Sequence, residues 1–179
     1  TFADQAVIAI ENVRLFNETK ESLERQTATA EILKVIAGSP SDVQPVFDAI
    51  AQNARRLLDG HSAGVRLIVG DRLQVAAFTS TGTSGDAALK SGAPIPLLRE
   101  GSVNAAAVRT GKPAIRVDTE TDPGVPEEVR NMARVRGFRS NLVVPMLRDG
   151  VPIGTINVTR REPGTFSDHL IHLLETFAS

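Results

Sequence analysis

The run FRSNLVVPMLRDGVPIGTINVTRREPGTFSD, residues 138–168, constrains the fold more than any other part of this chain. Residues 140–147 and 151–159 are both apolar and rich in β-branched side chains, which suits two half-buried strands. Between them stands Asp149-Gly150. A type I′ turn needs positive φ at both central positions, and Asp-Gly is among the dipeptides that supply it. Pro163-Gly164 then breaks the sheet, and Ser167 stands where a helix N-cap is needed. A strand, a tight turn, a strand, a loop and a capped helix are therefore predicted in that order.

Upstream, residues 1–37 contain neither proline nor glycine and read as one long helix or two in series. Ala9, Val13, Phe16, Leu23 and Ala30 recur at heptad-like spacing, interrupted by Lys20 and Thr27, which predicts a helix that pairs with a second copy. Gly38-Ser39-Pro40 ends that helix, and Ser41 or Asp42 starts the next, in which Val46, Phe47, Ile50, Ala54, Leu57 and Leu58 fall at helical spacing. Residues 63–69 and 73–80 form an antiparallel pair around Gly70-Asp71, one face covered by helices and the other by a pocket or second layer. Residues 81–92 read as a loop or short helix, 94–97 as an edge strand, and 103–109 as a small helix capped by Ser102. A strand over 113–117, a turn-rich loop and a helix over 127–136 complete the series. The order predicts an α+β fold, an antiparallel sheet with helices packed on it.

The VPML-x-DG-x-PIG-x-I-x-V pattern followed by F-S-D closely resembles the end of a GAF domain. Residues 26–60, QTATAEILKVIAGSPSDVQPVFDAIAQNARRLLDG, resemble the linker and first core helix between GAF modules of bacterial sensor histidine kinases. The opening TFADQAVIAIENVRLF looks like the closing helix of a preceding module, and the closing LETFAS like the start of its recurrence. The resemblance implies residues 1–38 as a linker helix and 39–179 as a GAF-like domain whose terminal helix is truncated. It further implies a regulatory, non-catalytic part of a cytoplasmic two-component signalling protein, one that binds a small molecule, dimerises, or does both. Other domains of the parent protein would be its partners.

Composition narrows the chemistry. With no Cys there is no thiolate catalysis, no zinc-thiolate site and no thioether-attached chromophore, and the cysteine-dependent methionine sulfoxide reductases of this fold are excluded. A net charge of −1, with neither Trp nor Tyr, disfavours a nucleic-acid partner. No apolar run approaches the ~20 residues that span a bilayer, so no membrane insertion is expected. The glycines form neither GxGxxG nor a phosphate loop, and Gly111-Lys112 is followed by Pro113 rather than Ser or Thr. His169 and His172 share a helix face, and His61 precedes a strand. These three carry the alternative of a haem or metal redox sensor, against the plainer reading of surface histidines. Arg134, Arg136 and Arg139 could clamp an anion, or simply balance a helix C-terminus.

No cofactor is required by any motif. Strand position assigns polar ligand contacts to Arg116, Ser140 and Asn157 and an apolar lining to Val65, Leu67 and Phe78. Homodimer contacts are assigned to Ala9, Val13, Phe16 and Leu23. A purely structural dimerisation spacer, its pocket filled by its own side chains, is the competing reading.

Overall fold

The computed structural model describes residues 2–38 and 43–179, with side chains described from residue 5 to 34 and from 43 onward. The capping expected of Ser41 or Asp42 lies outside these residues. The first element is a single continuous helix, α1, Phe2–Gly38. Its 37 residues span about 55 Å. Arg14 bridges Glu11 and Glu18 at 2.6 and 2.9 Å, pairs at the i,i+3 and i,i+4 spacings that support an exposed helix.

The remaining elements are α2 (Gln44–Leu57), β1 (Ser62–Val69), β2 (Arg72–Phe78), α3 (Thr83–Ser91), β3 (Ile95–Pro96), α4 (Val103–Thr110), β4 (Ala114–Arg116), α5 (Glu127–Arg136), β5 (Ser140–Arg148), β6 (Val151–Arg160) and α6 (Asp168–Phe177). The six strands make one sheet in the order β3-β2-β1-β6-β5-β4, and every neighbouring pair is antiparallel. The expected hairpin is β5–β6. Asp149 and Gly150 sit at φ of 52° and 77°, as a type I′ turn requires. Ser102 and Ser167 accept hydrogen bonds from the amides of Ala105 and Leu170, capping α4 and α6. Residues 83–91, read as loop or helix from the sequence, form helix α3.

The two sheet faces differ in character. One carries Ala63 and Val65 of β1, Leu142 and Val144 of β5, and Ile156 and Val158 of β6. These pack with Ala51, Ala54 and Leu58 of the α2 region and with Leu173 and Leu174 of α6. Burying a side chain of this size contributes about 1.5–3 kcal/mol, so this apolar layer is a large stabilising contribution to the fold. The other face lies under α3, α4 and α5 and is largely polar. Along β5 the residues from Ser140 to Met146 are all buried, because this strand is covered on both sides.

Helix α1 joins the first layer only through its C-terminal half. Ala28 is fully buried, Glu31 pairs with Arg56 of α2 at 3.0 Å, and Glu21 meets His169 of α6 at 3.0 Å. From residue 5 to 20 the helix is exposed throughout.

Candidate functional site

Alternation along a strand sends odd and even residues to opposite faces, and in β1 this aims Ser62, Gly64 and Arg66 away from the apolar core. Strand pairing sets them beside equivalents on β6 and β5. Ser62 lies opposite Thr159, Gly64 opposite Asn157 and Arg66 opposite Thr155. Asn141 of β5 pairs with Thr159 on one side and with Arg116 of β4 on the other. The face beneath α3–α5 is thereby a grid of Ser, Thr, Asn and Arg side chains. Above it is a cavity of about 450 Å³, within the range of small-molecule sites. Its remaining wall is apolar, with Val75, Leu89, Ile95, Val103, Val129 and Met132.

The grid is partly satisfied from within. Ser62 and Thr159 share a hydrogen bond of 2.7 Å, and Thr155 Oγ1 donates to Asn104 Oδ1 of α4 at 3.1 Å. Gly64 leaves the space that the Asn157 amide occupies: a Cβ there would come within 2.8 Å of Asn157 Oδ1. Asn141 Oδ1, by contrast, is buried and accepts no hydrogen bond from any described residue.

Four arginines border the cavity, and three have partners. Arg99 pairs with Glu128. Arg116 pairs with Asp122 and donates to Gly101 O at 2.7 Å. Arg136, only 5% exposed, donates to Thr79 O at 3.1 Å and Gly85 O at 3.2 Å, approaches Asp86, and stacks over the Phe78 ring at 5.4 Å. Arg66 is the exception. Among the described residues no acceptor lies within hydrogen-bond distance of its guanidinium. Burial, and then the charge of Arg136, pull its pKa down to about 10. Beside it the β1–β2 ladder is irregular: Val65 and Arg66 pair with Ala77 and Val75, which leaves Ala76 of β2 as the extra residue of a bulge.

Of the ligand contacts assigned from strand position, Arg116 and Asn157 border this cavity. The others lie elsewhere. Val65 touches its edge, but its side chain is fully buried in the apolar core, and Leu67 packs against that same core. Both have the wrong parity on β1, where Gly64 and Arg66 face the cavity. Ser140 also faces away and donates to Glu162 O at 2.8 Å. The Phe78 ring lies beneath Arg136 and Lys90, outside the lining. Arg66 and Asn141 were missed. A charged residue inside an apolar strand, and an Asn where strands disfavour it, are the signals that could have found them.

The histidines sit apart from this cavity. Arg161 Nε donates to His61 Nδ1 at 3.1 Å, and His61 Nε2 donates to Arg136 O at 2.9 Å, so both ring nitrogens are engaged. Among the described residues no three His, Asp or Glu side chains are placed to hold a metal ion. No helix among them is long and apolar enough to cross a membrane. Of the three arginines considered as an anion clamp, Arg134 is held by Glu120 and Glu127, and Arg139 by Asp118.

Comparison with known proteins follows the same architecture. Among solved structures, the GAF domain from a phosphoenolpyruvate-protein phosphotransferase of Coxiella burnetii superposes with a TM-score of 0.71 at 12% identity, over 90% of this chain and 90% of that one. The free methionine-R-sulfoxide reductase of Neisseria meningitidis, in complex with its substrate, gives 0.64 at 22% identity over 89% and 86%. A domain assigned to a two-component sensor histidine kinase of Sinorhizobium meliloti gives 0.60 at 16% identity over 78% and 87%. At such identities these likenesses concern the fold alone. No curated protein matches the sequence. The GAF domain family model matches residues 40–179, a segment that holds the whole sheet, both helical layers and the cavity. The chain belongs to the GAF domain family.

Proposed function

We propose that this chain is the sensory, regulatory part of a cytoplasmic signalling protein, a sensor histidine kinase by the resemblance of residues 26–60, and that it performs no catalysis itself. A small molecule enters the cavity beneath α3, α4 and α5. Its occupancy shifts strands β5 and β6, whose opposite face carries the core that anchors α6 and, through α2, helix α1. Helix α1 pairs with its counterpart in a homodimer and passes the shift to the neighbouring domains.

The observation that carries this reading is the cavity of about 450 Å³ on one face of a sheet whose other face is filled by the apolar core. A spacer would gain nothing from leaving such a volume lined with hydrogen-bonding groups. The reductase of the same fold is an enzyme, but this chain has no cysteine to offer a substrate sulfoxide.

Native mass spectrometry of the purified chain is the test. The expected result is a co-purified compound of small-molecule mass, lost on Val75→Trp, which fills the cavity, while the circular dichroism spectrum is retained. A wild-type protein that carries nothing, and whose melting temperature no small molecule raises, would establish the spacer instead.

A further inference from the structure

Among the described residues, the cavity lining has one guanidinium that meets no carboxylate and one side-chain amide oxygen that meets no donor. The charges of Arg99, Arg116 and Arg136 each face a carboxylate of Glu128, Asp122 or Asp86. Arg66 faces none among the described residues, so within them the lining carries one uncompensated positive charge. Arg66 is half-buried at the cavity floor, and a cation partly withdrawn from water without a partner carries a cost that a bound anion would reduce. Asn141 Oδ1 is buried and unsatisfied on the same sheet face. A buried acceptor of this kind is costly until a donor reaches it.

The two groups stand at different ends of the floor. Arg66 is opposite Thr155, and Asn141 is opposite Thr159. Four residues along β6 separate these rows by about 13 Å of strand. Between them lie the Asn157 amide and the apolar wall of Val75, Val103 and Met132.

Resting on the sensory reading above, we propose that the ligand is an elongated organic monocarboxylate with an apolar body, its carboxylate paired with Arg66 and an N–H or O–H group at its far end donated to Asn141 Oδ1. One guanidinium balances one negative charge, and its planar fork matches a carboxylate. A doubly charged phosphate ester would leave one charge unmatched in the cavity.

Isothermal titration of the full chain with matched compounds tests this. The probes are 4-hydroxyphenylacetate and indole-3-acetate, their neutral amides, phenylacetate as an acid without a donor, and phenyl phosphate. Each donor-bearing acid is expected to bind at least tenfold more tightly than its amide and more tightly than phenylacetate. Arg66→Met should erase the preference for acid over amide, and Asn141→Leu the preference for 4-hydroxyphenylacetate over phenylacetate. Amides that bind as well as the acids, and lose binding on Val75→Trp, would overturn the carboxylate assignment while leaving a ligand cavity in place. Phenyl phosphate binding most tightly would overturn the single-charge argument. No binding by any probe would overturn the proposal, and with an empty native mass spectrum the sensory reading would fall with it.

Discussion

Arg139 clasps Asp118 through two hydrogen bonds, Nε to Oδ1 at 2.7 Å and Nη2 to Oδ2 at 2.6 Å. The pair ties the loop after β4 to the start of β5. Thr121 Oγ1 and the Glu120 amide donate to the same carboxylate at 2.8 and 3.1 Å. Nearby, Asp122 is held by Arg116 and Glu120 by Arg134. The loop that borders the cavity is therefore stitched by three carboxylate–arginine pairs.

That stitching makes the loop sensitive to acid. The hydrogen bonds from Arg139 hold Asp118 well below the usual carboxylate range, and Arg116 and Arg134 depress Asp122 and Glu120 in the same direction. A depressed carboxylate contributes stability above its unfolded value, about 4, and loses it as pH falls toward the folded value. Thermal melts should therefore be flat from pH 7 to about 5 and decline below that. Asp118→Asn should show a lower melting temperature at pH 7 and a shallower decline between pH 5 and 3. Parallel decline in the two proteins would exclude Asp118 as a contributor.

Arg66 and Arg136 should respond oppositely to replacement by Met. Arg136 satisfies the carbonyls of Thr79 and Gly85 from a buried position, so Arg136→Met should cost about 2–4 kcal/mol. Arg66 reaches no acceptor among the described residues, and its loss removes a repulsion with Arg136. Arg66→Met should leave the melting temperature unchanged or raise it. Urea denaturation of the two variants checks both signs, and a large loss for Arg66→Met would reveal a structural role.

The β5–β6 turn provides a local test. Gly150 sits at φ 77°, where a β-branched residue is disfavoured by about 1–2 kcal/mol. Gly124, which donates to Asp122 Oδ1 at 2.8 Å, does not have a positive φ. Gly150→Val should lower the melting temperature more than Gly124→Val, and equal losses would show that the turn tolerates another geometry.

Dimerisation is tested on α1. Val13, Phe16 and Leu23 are 61%, 69% and 62% exposed, and with Ala9 they fall on one stripe of the helix. Val13→Glu with Phe16→Glu should shift sedimentation from dimer to monomer without changing the melting temperature of the sheet. A wild-type chain that is monomeric at tens of micromolar, a concentration at which a weak coiled coil still assembles, would remove the pairing role.

What could be read from the sequence was whatever local rules determine. Asp149-Gly150 specified the hairpin, Ser102 and Ser167 the helix starts, and the absence of Gly and Pro before Gly38 the long helix. Facing is a longer-range property. In β1 only Ser62 and Arg66 are polar, so between them alternation alone does not say that Val65 and Leu67 turn to the core and Gly64 to the cavity. That choice is made by strand pairing and by which helices cover which face. Asn141 was hidden for the same reason, since its meaning lies in what packs over β5 and not in its neighbours along the chain.

The partial anchoring of α1 turns it into a lever. Glu21 and Ala28 attach its second half to the domain, and the first half stands clear. The free arm, some 19 residues from Phe2 to Lys20, is about 28 Å long, so a tilt of about 5° at the anchor displaces its tip by roughly 2.5 Å. Displacements within the cavity need be only a fraction of that. By this geometry, motions at the anchor too small to break any core contact become a displacement several times larger at the far end of the helix.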